Sequence, residues 1–200
     1  MKNYSQAGQD LWVVDLFKDR DAKTLFFLDI GANDGVLFSN TYLLEQMGWD
    51  GICVEPSRAE FNKLVNCRST LCLDAAITDY VGMCGFIDKG LLGNVKDGDT
   101  HVCITFKELL QNSPKRIQYM SLDIEGGEYI ALSKFPFNEY IIEAITVEHN
   151  LYASGEKLKE DIYNLLTSNG YIRVKENVLV GNTYPFEDWY VHESMKTNML

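Results

Sequence analysis

Two acid-bearing blocks follow mainly apolar segments in the second half of the chain. The first segment ends in Asp123 and Glu125, and the second ends in Glu148, His149 and Asn150. Side chains two residues apart in an extended chain lie on one side, so Asp123 and Glu125 face the same way. Like charges held this close require a metal, a cationic partner or a shared proton. The carboxyl ends of parallel strands meet at one sheet edge, so both blocks are expected in one crevice.

These residue types can remove a proton or hold a divalent ion. An unperturbed imidazole titrates near ~6.5, so His149 is the predicted general base, and Asp123 and Glu125 are the other predicted catalytic residues. Alternatively, a divalent ion held by Asp123, Glu148 and Asn150 would lower the pKa of a bound hydroxyl. Ligands that are all oxygen favour Mg²⁺, Mn²⁺ or Ca²⁺ over zinc. The two routes are compatible, and the sequence leaves both open.

A nucleoside site is predicted in the first half of the chain. The stretch Leu25–Gly35, LFFLDIGANDG, predicts a buried strand and a glycine turn, and Val36–Met47 has apolar residues at helical spacing. Gly31 and Gly35 would let the backbone approach a ligand, and the helix N-terminus would point its N–H groups into the same crevice. Glu55 ends the next apolar strand about twenty residues on, where an acid can bind both ribose hydroxyls.

The glycine turn is a poor match for a dinucleotide. A pyrophosphate needs bare backbone where this chain has Asn33 and Asp34. Asp29 and Asp34 add negative charge, which suits a ligand with an amino group or a sulfonium.

Blocks spread over most of the chain resemble the FkbM-type S-adenosylmethionine-dependent methyltransferase family. The blocks are Ser5–Asp10, Asp29–Gly35, Gly48–Gly51 leading to Glu55, Ala75–Ile77, Leu122–Glu128 and Val147–Asn150. The resemblance implies an α/β, Rossmann-like class I methyltransferase fold, with a seven-stranded, mostly parallel sheet in the order 3-2-1-4-5-7-6 and helices on both faces. We expect one methyltransferase domain over residues 1–200, with residues 1–22 as a helical segment that packs near the cofactor.

The same resemblance indicates a cofactor and an acceptor. S-adenosyl-L-methionine is the expected cofactor, and the resemblance adds Gln6 near it and Asp74 at the adenine. The predicted cofactor-binding residues are Gln6, Asp29, Gly31, Asn33, Gly35, Glu55, Asp74 and Ala75. The expected acceptor is a sugar hydroxyl of a glycan or glycosylated metabolite, and a glycosyltransferase is a possible partner. Mg²⁺ or Mn²⁺ is the candidate metal.

The remaining elements follow from apolar periodicity and turn residues. The predicted helices are Gln6–Arg20, Ser57–Asn66 (with Ser57 and Glu60 as a capping box), Phe106–Gln111 and Glu156–Thr167, with Gly170 as a left-handed cap. The predicted strands are Gly51–Val54, Thr70–Ala75, Gly82–Asp88, Ile117–Leu122, Ala144–Val147, Tyr171–Lys175 and Trp189–His192, with a hairpin-like connection through Gly181-Asn182. Lys89–Thr100 contains three glycines and is interpreted as a lid over the acceptor site.

Composition narrows the choice of partners. The chain has 200 residues, is 46% hydrophobic and carries a formal net charge of -11, which argues against nucleic acid and against an anionic membrane surface. Apolar runs fall short of the ~20 residues of a membrane span. The five cysteines form no C-x-x-C pair, which predicts buried thiols in a reducing, cytoplasmic setting.

Three rival functions remain open. Asp123 and Glu125 beside a nucleoside site also describe a metal-dependent glycosyltransferase that uses a nucleotide sugar. An N-methyltransferase would use the same fold. A binding module without catalysis would bind the cofactor and transfer no methyl group.

Overall fold

The computed structural model describes residues 2–87, 93–181 and 183–198. The strands are β1 (Phe26–Ile30), β2 (Asp50–Val54), β3 (Leu71–Leu73), β4 (Ala76–Ile77), β5 (Gly82–Ile87), β6 (Asn94–Ile104), β7 (Arg116–Leu122), β8 (Ile141–Glu148), β9 (Tyr171–Val180) and β10 (Tyr184–His192). The α-helices are α1 (Gln9–Leu16), α2 (Tyr42–Gln46), α3 (Arg58–Cys67), α4 (Phe106–Leu109), α5 (Glu128–Leu132), α6 (Leu151–Ser154) and α7 (Glu156–Ser168). Short 3-10 helices cover Ala22–Thr24 and Glu193–Asn198. In the part of the chain that is described, no helix has the length and hydropathy to cross a membrane.

Seven strands form the main sheet, in the order β3-β2-β1-β7-β8-β10-β9. Neighbours from β3 to β8 are parallel, whereas β10 is antiparallel to both β8 and β9, so the sheet is mixed. The strand numbers differ from the predicted order because three strands between β3 and β7 belong to a separate sheet, ordered β4-β6-β5. Counted within the main sheet alone, its strands run third, second, first, fourth, fifth, seventh and sixth.

Helices cover both faces of the main sheet, as predicted. Strand side chains alternate between faces, so Leu28 joins the apolar cluster with α4, α5 and α7, while Phe27 joins the cluster with α1, α2 and α3. Both clusters are buried, which explains why β1 is apolar on both sides rather than alternating. This packing leaves the carboxyl ends of the parallel strands free to form a site.

The helix expected directly after the glycine turn begins later, at Tyr42 rather than Val36. The Asp34 carboxylate accepts hydrogen bonds from the backbone N–H of Val36 (2.9 Å) and of Leu37 (2.8 Å), which holds this segment as a turn. Phe38 then has φ +59°, which is incompatible with a right-handed helix. The prediction that a helix N-terminus faces the crevice here was therefore wrong.

The segment interpreted as a lid is in part an irregular strand, and residues 93–97 of this segment line the cavity described below. Asn94–Thr100 lies in β6, which pairs antiparallel with β5 and shifts register between Cys84 and Gly85. The rest of that prediction, Lys89–Leu92, lies outside the described residues, as do the predicted strand end at Asp88 and the turn residue Asn182. Glycine and polar residues hid the strand because they lack the apolar alternation that identifies one.

Two helix ends were predicted by their local chemistry. The Ser57 hydroxyl accepts from the backbone N–H of Glu60 at 3.4 Å and caps α3. Gly170 follows α7 with φ +84°, the left-handed conformation that glycine adopts without strain. The N-terminal helix, in contrast, is only Gln9–Leu16, shorter than the predicted Gln6–Arg20.

Candidate active site

One cavity of about 570 Å³ lies at the carboxyl ends of β1, β2, β7 and β8. Residues of both predicted centres contribute to its wall, so the predicted nucleoside site and the acid-bearing blocks do share one crevice. We call Gly31, Asn33, Glu55 and Ala75 the cofactor half, and Asp123, Glu125, Glu148 and Asn150 the acid half. The second sheet, β4-β6-β5, adds further side chains to the cavity wall, among them Ile77, Phe86 and Lys96.

Glu55 organises the cofactor half. Its Oε2 accepts from the backbone N–H of Asn33 at 2.8 Å, and its Oε1 accepts from that of Ser57 at 2.7 Å. Burial raises the pKa of Glu55 to about 7 against the lowering effect of these two hydrogen bonds. Each carboxylate oxygen keeps a further acceptor position, so the group can also bind two ligand hydroxyls.

The two glycines of the turn have packing roles that the sequence did not reveal. A Cβ on Gly31 would lie 1.7 Å from the backbone oxygen of Asp123, so glycine is required where β1 and β7 end side by side. A Cβ on Gly35 would lie 2.6 Å from Cδ1 of Leu64 on α3, and the described cavity wall does not include Gly35. The predicted cofactor contact of Gly35 is therefore replaced by contact with a helix.

Asp29 contributes to the wall but is only 4% exposed. Its carboxylate accepts from the Thr41 hydroxyl and lies 3.8 Å from Nη1 of Arg68. Burial raises the pKa of Asp29, and the Arg68 guanidinium opposes that rise. The Asp29 carboxylate is therefore bound mainly by residues of the protein interior, Thr41 and Arg68.

Asp74, like Gly35, is a predicted cofactor residue that lies outside the described cavity wall. Its side chain is exposed, 4.0 Å from Nε of Arg58, and the described cavity wall omits it while including Ala75. Successive side chains of an extended chain point to opposite sides, so Ala75 faces inward and Asp74 outward. Gln6 does line the cavity, as predicted, and so does Gln9, which donates from Nε2 to Glu187 at 3.0 Å.

Buried like charges define the acid half. Asp123, Glu128 and Glu148 each place one carboxylate oxygen within 4.8 Å of the others. Burial raises the pKa of Asp123, and burial with the Asp123 charge raises that of Glu148. Oε2 of Glu148 is buried and receives no hydrogen bond from any residue that the structure describes. The cluster can therefore accept a cation, or hydrogens from a hydroxyl or an ammonium group.

Glu125 and Glu128 have different tasks although both belong to the motif Asp-Ile-Glu-Gly-Gly-Glu. Oε1 of Glu128 accepts from the backbone N–H of Ile124 at 2.9 Å and from that of Gly126 at 3.1 Å. These are the two neighbours of Glu125, which has φ +56° and lines the cavity. Glu128 thus holds the backbone that presents Glu125, whose pKa burial raises to about 7.

The structure argues against His149 as a general base. The imidazole is 2% exposed, and the described cavity wall does not include it. Its Nδ1 accepts from the backbone N–H of Leu151 at 3.2 Å, so Nε2 carries the hydrogen and donates to Oδ1 of Asp188 at 3.2 Å. Both ring nitrogens are therefore occupied, and His149 turns away from the cavity although its neighbours Glu148 and Asn150 line it. The strand ends at Glu148, and Asn150 has φ +43°, so strand alternation does not apply to these residues.

Several wall residues carry no signal in the sequence. Asn40 donates from Nδ2 to the Ser121 hydroxyl at 2.9 Å, and its Oδ1 is buried without a hydrogen-bond donor among the described residues. The other unpredicted wall residues include Phe38, Tyr80, Phe86, Tyr152 and Phe186. Only the tertiary fold reveals them, since they come from turns, the second sheet, α6 and β10.

Three methyltransferases of known structure share this fold. Magnesium protoporphyrin IX methyltransferase from Synechocystis PCC 6803, with bound SAM, has a TM-score of 0.53 at 13% identity, covering 94% of this chain and 79% of that chain. An O-methyltransferase from Bacillus cereus in complex with SAH has a TM-score of 0.56 at 8% identity, covering 92% and 80%. The N-terminal domain of human METTL16 in complex with SAH has a TM-score of 0.52 at 16% identity, covering 90% and 67%. The fold is therefore that of the class I methyltransferases.

A family model identifies the family. The model of the methyltransferase FkbM domain matches residues 29–173, which include Glu55 and the whole acid half. The chain belongs to this methyltransferase family, as the sequence motifs predicted. A comparison with curated proteins gives no match.

Proposed function

We propose that this protein is an S-adenosylmethionine-dependent methyltransferase, of the EC 2.1.1 type, that methylates a hydroxyl of a carbohydrate or glycosylated small molecule. Family membership supports methyl transfer. The titles of solved structures with the same fold name bound SAM or SAH, which supports the cofactor. The observation that carries the proposal is one cavity holding Glu55 at one end and Asp123 with Glu148 at the other.

In this proposal the cofactor half binds the nucleoside of the methyl donor. Glu55 accepts hydrogen bonds from the ribose hydroxyls while the N–H groups of Asn33 and Ser57 hold its carboxylate in place. Ala75 lies beside the base, and Gln6 faces the cavity from the N-terminal segment. The negative wall favours the sulfonium electrostatically.

The acid half then receives the acceptor. The acceptor oxygen attacks the methyl carbon in line, the C–S bond breaks with its electron pair going to sulfur, and the hydroxyl proton passes to a carboxylate. Asp123 and Glu125 line the cavity and are the proposed proton acceptors, in place of the buried His149. Glu128 positions Glu125 through the two backbone N–H groups that flank it.

Charge supports an acceptor that is neutral or cationic. Asp79, Asp97 and the acid half line the cavity, and Lys96 is the one lysine or arginine among the described wall residues. An acidic wall repels phosphate and carboxylate groups, and the net charge of -11 disfavours nucleic acid. Family resemblance favours a sugar hydroxyl, and an N-methyl product is the alternative. We also propose that the protein works in a reducing, cytoplasmic setting, which the five free cysteines support. A glycosyltransferase is the proposed partner.

A divalent ion is a second element of the proposal. The all-oxygen donors of Asp123, Glu148 and Asn150 fit Mg²⁺ or Mn²⁺, and the unpartnered Oε2 of Glu148 fits a cation. The ion would lower the pKa of a bound hydroxyl. EDTA should then stop methyl transfer and Mg²⁺ or Mn²⁺ should restore it, whereas full activity in EDTA would leave the carboxylates to act without a metal.

Calorimetry and a transfer assay test the function. We expect S-adenosylhomocysteine to bind and nucleotide sugars not to bind. Methyl groups from labelled S-adenosylmethionine should then appear on members of a glycoside panel. Binding of nucleotide sugars alone would instead support a glycosyltransferase, and binding without transfer to any acceptor would support a binding module.

A further inference from the structure

Left-handed backbone conformations at residues other than glycine concentrate around the cavity. Five residues in the described part of the chain have them: Asn33, Phe38, Glu125, Asn150 and Asn177. All of these except Asn177 line the cavity. Asparagine tolerates this conformation, but a bulky residue such as phenylalanine is a genuine outlier there.

Phe38 is the least expected of these residues. It has φ +59°, and 46% of its surface is exposed. A strained backbone persists only where something else compensates it, and a ring this exposed gains little from packing inside the protein. Its backbone is held by a bridge to Ser5 and by the turn in which the backbone N–H of Ser39 donates to the carbonyl of Val36 at 3.3 Å. These backbone contacts hold a half-exposed ring in the cavity wall, where it is available for contact with a molecule that enters the cavity.

The position of Phe38 assigns that contact to the acceptor. Two residues further on, Asn40 donates to the hydroxyl of Ser121, near the carboxyl end of β7 and next to the acid half. Glu55, which marks the nucleoside end, follows β2 instead. The segment therefore contacts the cofactor half through Asn33, which donates to Glu55, and approaches the acid half through Asn40, and Phe38 lies closer in sequence to Asn40 than to Asn33.

We propose that Phe38 is a specificity-determining residue that stacks on the apolar face of a ring-shaped acceptor. This inference rests on the proposed methyl transfer and adds the shape of the substrate. An aromatic ring packs well against the C–H face of a pyranose, while carboxylates accept hydrogen bonds from the hydroxyls at its edge. Asp123 and Glu125 are the carboxylates available in the same cavity. The strained backbone holds the ring in the cavity before the acceptor arrives.

The variant Phe38→Gly separates this role from a role in folding. Glycine adopts φ +59° freely, so the thermal unfolding midpoint should equal or exceed that of the wild type. With a panel of pyranosides as probes, kcat/KM should fall about tenfold, mainly through KM, because the stacking contact is lost. Affinity for S-adenosylhomocysteine should be unchanged. Phe38→Tyr should retain most activity because it keeps an aromatic ring.

Asn177→Gly is the matched control, since it removes a left-handed residue outside the cavity wall. It should leave kcat/KM unchanged. An unchanged kcat/KM in Phe38→Gly would overturn the role of Phe38 and leave methyl transfer standing. Weaker binding of S-adenosylhomocysteine, or an unfolding midpoint lowered by more than in Asn177→Gly, would overturn it in favour of a cofactor or packing contact.

Two outcomes with the wild type separate this inference from the proposed function. If the wild-type protein binds S-adenosylhomocysteine but methylates none of the pyranosides, the ring-shaped acceptor is overturned and the cofactor assignment remains. If S-adenosylhomocysteine does not bind at all, the proposed function itself fails.

Discussion

The two halves of the cavity are built on opposite principles. In the cofactor half, the Glu55 carboxylate is held by two backbone N–H groups. In the acid half, Oε2 of Glu148 is buried without a described hydrogen-bond donor, and burial raises the pKa of the neighbouring Asp123. The carboxylate of the cofactor half is therefore held before a ligand arrives, whereas the acid half depends on a proton shared between Asp123 and Glu148 or on a ligand that replaces it.

The cofactor half is thus organised for binding before the ligand arrives, and the acid half is organised for the reaction. A site that binds one invariant cofactor gains from groups already locked in place, because little ordering remains to be done on binding. A site that must accept a proton or a cation keeps acceptors free, and their burial costs stability until they are used. Residues that lower the stability of the folded protein but are needed for methyl transfer should therefore lie mainly in the acid half.

The largest expected effect comes from Asp123→Asn in the acid half. Methyl transfer should fall by about 100-fold or more, because a group that accepts or orients the proton is lost. Affinity for S-adenosylhomocysteine should largely survive, since Glu55 is untouched. Initial rates and calorimetry on the same preparation measure both quantities.

Asp74→Asn is the control for that variant, because Asp74 also follows a strand but points away from the cavity. It should keep both activity and affinity. Full activity in Asp123→Asn would refute the contrast between the two halves.

The junction of the halves is the next point to test. Gly31→Ala would place a methyl group 1.7 Å from the backbone oxygen of Asp123 and push β1 and β7 apart. Gly48→Ala is the matched control. Gly48 has φ +98°, close to the +89° of Gly31, but a Cβ added at Gly48 would have no neighbouring atom within 4 Å. Denaturant unfolding should show that Gly31→Ala costs about 2 kcal/mol more than Gly48→Ala. Equal losses would mean that only the backbone conformation matters at Gly31.

The sequence predicted which residues end the strands of each half better than it predicted where their side chains point. Glu55 and Asp123 were found because each acid ends an apolar strand, and the ends of parallel strands converge. Phe38 and Asn40 were missed because Val36–Met47 has helical apolar spacing, while the Asp34 side chain holds its first residues as a turn. His149 was misassigned because its position between two polar residues says nothing about the face to which it points.

A smaller effect is expected from Glu55→Gln in the cofactor half. The amide keeps the shape of the side chain but lacks the charge and replaces one acceptor oxygen by an NH2 donor. Either Asn33 or Ser57 then loses the acceptor of its backbone N–H, and hydrogen bonds from ribose hydroxyls weaken. Affinity for S-adenosylhomocysteine should fall by about 1–3 kcal/mol, measured by calorimetry. Glu60→Gln, a change at a nearby helix residue outside the cavity wall, should leave affinity unchanged. If Glu55→Gln bound as tightly as the wild type, Glu55 would not belong to the cofactor site.

The smallest effect is a pH dependence of cofactor binding that should depend on Glu55, although burial raises the pKa of Glu125 in the acid half to about 7 as well. Burial raises the pKa of Glu55 from 4.5 to about 7, so in that window the folded protein keeps a proton that the unfolded chain releases. The contribution of Glu55 to the free energy of unfolding is therefore fully present below pH 4.5 and is lost as pH rises to about 7. Ligand binding should change in the opposite direction, because the ionised carboxylate is the stronger hydrogen-bond acceptor.

Calorimetry across this window can isolate Glu55. Affinity for S-adenosylhomocysteine should rise about fivefold as pH increases through 7, given that charge-assisted hydrogen bonds are roughly twice as strong as neutral ones. Glu55→Gln should flatten this profile, while Asp123→Asn should preserve it, because Glu55 is the group whose titration changes the hydrogen bonds to the nucleoside. A profile flattened by Asp123→Asn instead would mean that the acid half controls cofactor binding, and the two halves would have to be treated as one electrostatic unit.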